Sequence, residues 1–328
     1  MTSPPAAALL EVDGVSKTFN ARRGGHSRRI EVAALNDVDL RIEAAETVGI
    51  VGETGSGKST LGRIILGLEA PSAGKVQFDG QAIAGMSRKQ VKQLRRRMQV
   101  VFQDPYESLN PYMTVREILE EPFRVHDLYD RQTTPARVAE LLDVVGLPRS
   151  ALGRTPLAFS GGQQQRIVIA RSLTLDPDLL VADEPTASLD VSIQAQILNL
   201  MLDIQRQRQM SMLLISHNLR VVRHMSARMG VMYAGRIVET GYSADVYRSP
   251  KHPYTTALLS AVPVANPRRE RERHRIKVTG EAADPARLPS GCPFHPRCWL
   301  AEEQCRTTRP ALRPVGAQGQ LVACHLAK

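Results

Sequence analysis

The run Val48-Gly49-Ile50-Val51-Gly52-Glu53-Thr54-Gly55-Ser56-Gly57-Lys58-Ser59-Thr60 constrains the possible folds of this chain more than any other stretch. An apolar strand passes into a glycine-rich turn, and the pattern predicts a helix over residues 58–67. Gly52, Gly57, Lys58 and Ser59 stand at the spacing G-x-x-x-x-G-K-[ST], with Gly55 as a further small residue, so the backbone can close around a polyphosphate. Loop amides and the helix N-terminus then point at the anion. In that geometry Lys58 reaches the β and γ phosphates and the Ser59 hydroxyl ligates Mg²⁺. A merely flexible loop would share the glycines, but not the order strand, turn, Lys-Ser, helix.

Strands alternating with helices predict an α/β fold with a mainly parallel sheet. Strands are expected at residues 9–13, 30–42, 74–78 and 98–102, and helices dominate residues 114–175, with Val115, Ile118 and Leu119 on one face and Val138, Leu141, Leu142 and Val145 on another. The turn Ser160-Gly161-Gly162-Gln163 opens a helix predicted over 164–173. Ser160 reads either as a plain N-cap or, with its two glycines, as part of a second anion site. Leu179 to Glu184 is an apolar strand closed by Asp183 and Glu184, and Met212 to His217 is another closed by a histidine. Val231 to Val238 reads as a hairpin.

Ligands of a parallel sheet gather at the carboxyl ends of its strands, which is expected to bring Gly52, Asp183, Glu184 and His217 to one rim. Beside a phosphate loop such a set suits nucleotide hydrolysis. One carboxylate holds Mg²⁺ through water, the second polarises the attacking water, and the imidazole contacts the γ-phosphate. Gln103, at the end of a strand, is either a turn residue or a carbonyl donor to the metal. Phe19 either packs ordinarily or stacks on a nucleobase.

At 328 residues with 42% hydrophobic composition, two domains with a sizeable core are expected. No apolar run approaches the roughly 18 residues needed to span a bilayer. Residues 1–10 lack a basic segment leading into a long apolar one, so a secretory signal is not expected and a cytoplasmic location is. The net charge of +10 is concentrated in Arg22 to Arg29, Arg95-Arg96-Arg97 and Arg268 to Arg275, with few aromatics nearby. These runs read as solvated faces and linkers, and no nucleic-acid partner is expected.

Pro250, Pro253, Pro263 and Pro267 break up the chain, and a smaller unit begins near there. All four cysteines, Cys292, Cys298, Cys305 and Cys324, fall in it, with five, six and eighteen residues between them. That spacing does not make the paired C-x-x-C knuckles of a zinc ribbon. So small a unit has little core and benefits from a staple. Disulfides are rare in a reducing compartment, which favours a metal centre. Four thiolates suit either tetrahedral zinc or an iron–sulfur cluster, with His295 and His325 as reserve ligands. Remote in sequence from every nucleotide motif, the tail is expected to be structural.

The constellation resembles the ATP-binding subunits of ABC transporters. Along nearly the whole chain it supplies an adenine-stacking aromatic (Phe19), a Walker A loop (Gly52 to Thr60, including Glu53, Thr54 and Ser56) and a Q-loop Gln (Gln103). The signature turn (Ser160 to Gln163), Walker B strand (Asp183, Glu184), D-loop (Ser188-Leu189-Asp190) and switch histidine (His217) follow in order. Phe159, where Leu is common, and the order Thr186-Ala187-Ser188 depart from the usual pattern without removing a reacting group. Val101 to Pro111, Asp190 to Gln196, His252-Pro253-Tyr254-Thr255 and the cysteine tail are similar to the oligopeptide/dipeptide importer ATPases, and the segment between Phe19 and Leu35 to the second of the two non-identical ATPases such importers use.

That resemblance implies a P-loop NTPase ABC cassette over residues 1–245. Its parts would be a parallel sheet core, an antiparallel β subdomain and a helical subdomain at about 104–175, followed by a cysteine-containing extension over residues 246–328. It implies Mg²⁺-dependent ATP hydrolysis, with Lys58, Glu184 and His217 catalytic. Ser59, Gln103 and Asp183 would hold Mg²⁺, and the Walker loop, Phe19, Gln103, the signature turn and Asp190 would hold ATP. It further implies a [4Fe–4S] cluster on the four cysteines, with zinc as the alternative. The implied partners are a second ATPase subunit in a head-to-tail heterodimer, two transmembrane permease subunits and an extracytoplasmic binding protein, at the cytoplasmic face of the membrane. Peptide is the implied cargo, with nickel, opines or another small solute as alternatives and a soluble ABC ATPase acting on nucleic acid or ribosomes as a remote one.

Overall fold

The computed structural model describes residues 8–22, 29–262, 276–281, 283–316 and 319–328. The basic runs 22–29 and 268–275 lie almost wholly outside them. The chain divides into two compact units, one formed mainly by residues 85–214 and the other by residues 10–41, 47–84 and 215–328.

The second unit begins with β1 (Leu10–Arg22) and β2 (Arg29–Ile42), then β3 (Thr47–Val51), α1 (Lys58–Ile65), β4 (Ala73–Phe78) and the short β5 (Gln81–Ala82). Four of these strands make an antiparallel-type sheet in the order β2-β1-β4-β5, with β1 and β5 each antiparallel to β4. Asp79 and Gly80 adopt positive φ in the turn between β4 and β5, the conformation an Asp-Gly hairpin requires. The strand β3, Thr-Val-Gly-Ile-Val, is buried at every position, as a parallel strand covered on both faces must be.

The first unit carries α2 (Arg88–Arg97), β6 (Met98–Val101), α3 (Pro105–Ser108), α4 (Val115–Val125), α5 (Thr134–Val144), α6 (Gly161–Ser172), β7 (Leu179–Asp183), α7 (Val191–Arg208) and most of β8 (Ser211–Ser216). Its strands run in the order β8-β7-β6, with β6 and β7 parallel and β8 wholly buried. Its helices begin where side chains can satisfy the free first-turn amides: Ser87 with Gln90, Thr114 with Glu117 and Ser160 with Gln163 each form a capping box. The last of these starts α6 at Gly161, three residues earlier than apolar periodicity predicts, because a capping box recruits residues that bury nothing.

The second unit resumes with α8 (Leu219–Met225), β9 (Arg228–Tyr233), β10 (Arg236–Tyr242), α9 (Ser243–Arg248), α10 (Pro253–Ala261), α11 (Glu303–Thr307), β11 (Arg313–Val315) and β12 (Gln320–Val322). Here the strand order is β11-β12-β10-β9-β3. β9 lies parallel to β3, whereas β9, β10, β12 and β11 are successively antiparallel. The hairpin expected at residues 231–238 is formed by β9 and β10, and the tail strands β12 and β11 extend the sheet beyond it. No helix among the described residues is long and apolar enough to cross a membrane.

Candidate nucleotide site and thiol cavity

The phosphate loop leaves the buried end of β3 and enters α1 at Gly57, which adopts φ 103° and provides no side-chain cap. Two of its glycines are demanded by close approach: a Cβ on Gly52 would lie 2.2 Å from the Met232 carbonyl oxygen, and one on Gly57 would lie 2.5 Å from that of Ala34. The loop rests on the β9–β10 turn, where Gly235 N–H donates to the Ser56 carbonyl and Asn36 N–H to that of Gly235. At Gly55 a Cβ would meet nothing within 4 Å, so the loop is open there. Lys58, 5% exposed, folds back so that Nζ donates to the carbonyls of Gly52 and Glu53, each at 2.9 Å. Thr54 and Ser59 are exposed and Thr60 half-buried.

Glu53 is held from outside the loop. Its amide N–H donates to the Tyr254 hydroxyl at 2.9 Å, and its carboxylate takes two bonds from the Arg297 guanidinium, at 2.9 and 3.3 Å. Tyr254 lies on α10 and Arg297 on a 3-10 turn, His295–Arg297. Both belong to the tail, which is remote in sequence from the nucleotide motifs and yet reaches the phosphate loop in space. The Glu53 bonds hold the Arg297 guanidinium above its ordinary pKa range, and burial pushes the Tyr254 phenol up. Tyr233, Tyr254, Phe294 and His252 pack ring against ring beneath this contact, with centroids 4.6–5.9 Å apart. Sequence reasoning missed Arg297 and Tyr254 as loop neighbours.

The remaining nucleotide-motif residues of the second unit are Phe19 and His217. Phe19 lies inside β1, is 37% exposed, and has the Lys17 ammonium 4.8 Å from its ring centroid. His217 is exposed immediately after β8, next to Asn218, whose side chain caps α8.

In the first unit Asp183 ends β7, and Glu184 turns the chain with φ 50°, a left-handed conformation uncommon for a residue with a side chain. Each strand-end residue thus stands at a carboxyl end within its own unit. The Gln103 carbonyl accepts from the Ser188 hydroxyl at 3.3 Å, joining the segment after β6 to the one after β7. Gln194 Nε2 donates to the carbonyls of Thr186 and Leu189, fixing the turn before Asp190, which is the exposed N-cap of α7. The turn Ser160-Gly161-Gly162-Gln163 sits against it: a Cβ on Gly162 would lie 2.6 Å from Ile193 Cγ2, and one on Gly161 would lie 3.5 Å from Leu189 Cδ2. Ser160 and Gln163 themselves are exposed.

All four cysteines, together with His252, His295 and His325, line one small cavity in the second unit. Cys305 and Cys324 are buried, Cys292 and Cys298 half-buried, and all four are free thiols. Cys292 N–H donates to the Cys305 carbonyl at 2.8 Å, bringing the first and third cysteines together. Burial raises the thiols of Cys298 and Cys324 above their ordinary pKa, and that of Cys292 to about 11. Metal binding here would accordingly release protons. Four sulfurs around one cavity are the donor chemistry of zinc or an iron–sulfur cluster. Among the described residues, however, no group of three or more His, Cys, Asp or Glu side chains stands at metal-holding geometry.

A parallel β-core with a phosphate loop, a capped Ser-Gly-Gly-Gln helix and a strand-end carboxylate pair defines a nucleotide-binding cassette of the ABC class. A family model described as "ABC transporter" matches residues 35–187, and one described as "Oligopeptide/dipeptide transporter, C-terminal region" matches residues 238–305. The chain is 46% identical to the oligopeptide transport ATP-binding protein AppF of Bacillus subtilis strain 168, over 99% of each chain. It is 43% identical to the dipeptide transport ATP-binding protein DppF of Haemophilus influenzae, over 96% of each. Among solved structures, it is similar to the ATP-binding cassette MJ0796 in a dimeric post-hydrolysis state bound to ADP and Pi (28% identity, TM-score 0.62, 71% of this chain and 98% of that one). The protein cbiO1 from Clostridium perfringens, part of the ABC transporter complex cbiONQ, is similar at 26% identity and TM-score 0.64, over 74% of this chain and 91% of that one. The chain belongs to the ATP-binding proteins of the oligopeptide/dipeptide ABC transporter family.

Proposed function

We propose that this chain binds and hydrolyses Mg²⁺·ATP to power peptide import, as one ATPase subunit of a membrane transporter. The observation that carries the reading is the phosphate loop itself, wedged between the carbonyls of Ala34 and Met232 and open at Gly55, within a chain of this family from end to end. In this reading residues 1–245 form the cassette and 246–328 the extension. The loop amides and Lys58 bind the phosphates; Ser59, Gln103 and Asp183 serve Mg²⁺; Glu184 orients the attacking water and His217 the γ-phosphate; Phe19 stacks on the base. In this reading Lys58 Nζ exchanges its bonds to the Gly52 and Glu53 carbonyls for phosphate oxygens.

Ser160 to Gln163 and Asp190 serve the ATP of a second, non-identical ATPase subunit. The exposure of Ser160, Gln163 and Asp190 supports this, since a capped helix N-terminus presented to solvent is available to an anion carried by a partner. A short helix of a permease subunit docks on the segment from Gln103 to Asn110 together with the helical region to Leu175, where Tyr106 and Tyr112 and the preceding Phe102 are exposed aromatics. The assembly lies at the cytoplasmic face of the membrane, with an extracytoplasmic binding protein supplying cargo. Cys292, Cys298, Cys305 and Cys324 hold a [4Fe–4S] cluster or zinc, supported by their convergence on one cavity. Such a centre cross-links a unit whose own core is small.

The test is Glu184→Gln in the complex assembled with its transporter partners. ATP binding should persist while turnover falls at least about a hundredfold, because the phosphate cradle is intact and the water-orienting carboxylate is gone. Wild-type turnover in that variant refutes the assignment.

A further inference from the structure

The phosphate loop contains one carboxylate, Glu53, at its second position, where a negative charge beside a polyphosphate is unfavourable. The structure removes it from play by holding the residue through three groups. Its carbonyl accepts from Lys58, its N–H donates to the Tyr254 hydroxyl, and its carboxylate is gripped by both terminal nitrogens of Arg297. The Arg297 side chain is 11% exposed and that of Glu53 34%, so water screens the pair only partly. Arg297 is itself fixed. Its N–H donates to the Phe294 carbonyl, and its guanidinium lies 5.9 Å from the Tyr233 ring centroid and 6.0 Å from that of Phe294. Tyr254 is 1% exposed, leaving its hydroxyl little freedom to turn from Glu53.

We propose that Arg297 and Tyr254 are positioning residues for nucleotide binding: the extension supplies a cation and a phenol that hold Glu53 aside and neutralise it, so that the loop can receive phosphates. The inference rests on the ATP-binding reading above. It also makes the extension part of the nucleotide site, because Arg297 lies between Cys292 and Cys298 on the turn that lines the thiol cavity. An arginine suits the task better than a lysine, since its planar fork matches both carboxylate oxygens.

The test is a titration of the full-length chain with a fluorescent ATP analogue and Mg²⁺, with thermal melting as the folding control, for wild type, R297Q, E53Q, Y254F and the double variant R297Q/E53Q. R297Q is expected to bind about tenfold more weakly than wild type, because it frees a negative charge within the loop. In the E53Q background, where there is no charge to neutralise, the same change should cost no more than about threefold. Unchanged affinity in R297Q overturns the proposal. A loss of equal size in both backgrounds also overturns it, since it assigns Arg297 to folding of the tail alone. If R297Q fails to fold, Y254F is decisive: about threefold weaker binding supports the proposal and wild-type affinity overturns it. Wild-type protein that binds no ATP sinks the ATP-binding reading itself, whereas wild-type binding with unaltered R297Q and Y254F sinks only this inference.

Discussion

Gly162→Ala sets two calculable effects against each other. Gly162 lies in the first turn of α6 with negative φ, so an alanine there is free of backbone strain and favours the helix by up to about 1 kcal/mol. Its Cβ, however, would stand 2.6 Å from Ile193 Cγ2, where carbon atoms need roughly 3.5–4.0 Å. The Ile193 side chain is β-branched and stiff at χ1, so relief requires α6 to shift by about 1 Å from the start of α7. Overpacking of this kind costs about 1–3 kcal/mol, which outweighs the propensity gain. The net expectation is a loss of roughly 1–2 kcal/mol, or several degrees in Tm for a unit of this size. Ile193→Ala removes Cγ2, and in that background the sign should reverse, with Gly162→Ala stabilising by about 0.5–1 kcal/mol. Thermal melting of the four proteins reads the stability cycle, and ATP turnover of the assembled transporter reads the displaced signature turn. Gly162→Ala that is neutral or stabilising in the wild-type background refutes the packing argument, as does an equal effect in both backgrounds.

Gly52→Ala should abolish detectable ATP binding in a fluorescence titration, because the obstructing atom is the Met232 backbone carbonyl 2.2 Å away, which no rotamer change can move. Ser160→Ala removes the acceptor for Gln163 N–H and should cost about 1 kcal/mol of α6 stability, while Ser160→Asp keeps that bond and should restore melting but not turnover in the complex. Protein purified without oxygen should be brown and contain iron with acid-labile sulfide; colourless protein with stoichiometric zinc would leave the metal staple and sink the cluster. Cys298→Ser should lower the melting temperature, and chelation of the native protein should reproduce that drop, since both remove the same cross-link.

The strands, loop and helices that carry the candidate nucleotide residues were legible because their determinants are local. A phosphate loop is a short consecutive stretch whose glycines, lysine and serine act through backbone shape and one helix terminus, so Val48 to Thr60 could be read without knowing what surrounds it. The same holds for Leu179 to Glu184 and Met212 to His217, apolar strands followed by their polar ends, and for the α/β class that their alternation with helices implies. The positions of helix starts were less legible. The Ser160–Gln163 capping box draws two glycines into α6, and glycines carry no hydrophobic pattern to count.

Tertiary structure decided the rest. Gly49 reads as an ordinary small residue in an apolar strand, yet a Cβ there would lie 2.3 Å from Val222 Cγ1 of α8, a crowding that exists only once the helix is packed on the sheet. The left-handed φ of Glu184 has no signature in a residue type that seldom adopts it. β12 could be placed on the free edge of β10 only by pairing strands some 80 residues apart, for which periodicity offers no register. Arg297 and Glu53 are 244 residues apart, and nothing in the phosphate-loop pattern or the cysteine spacing pairs them. Chain entropy disfavours such a meeting in the unfolded protein. The folded sheet, the hairpin beneath the loop and the ring cluster of Tyr233, Tyr254 and Phe294 impose it, so it is visible only in three dimensions.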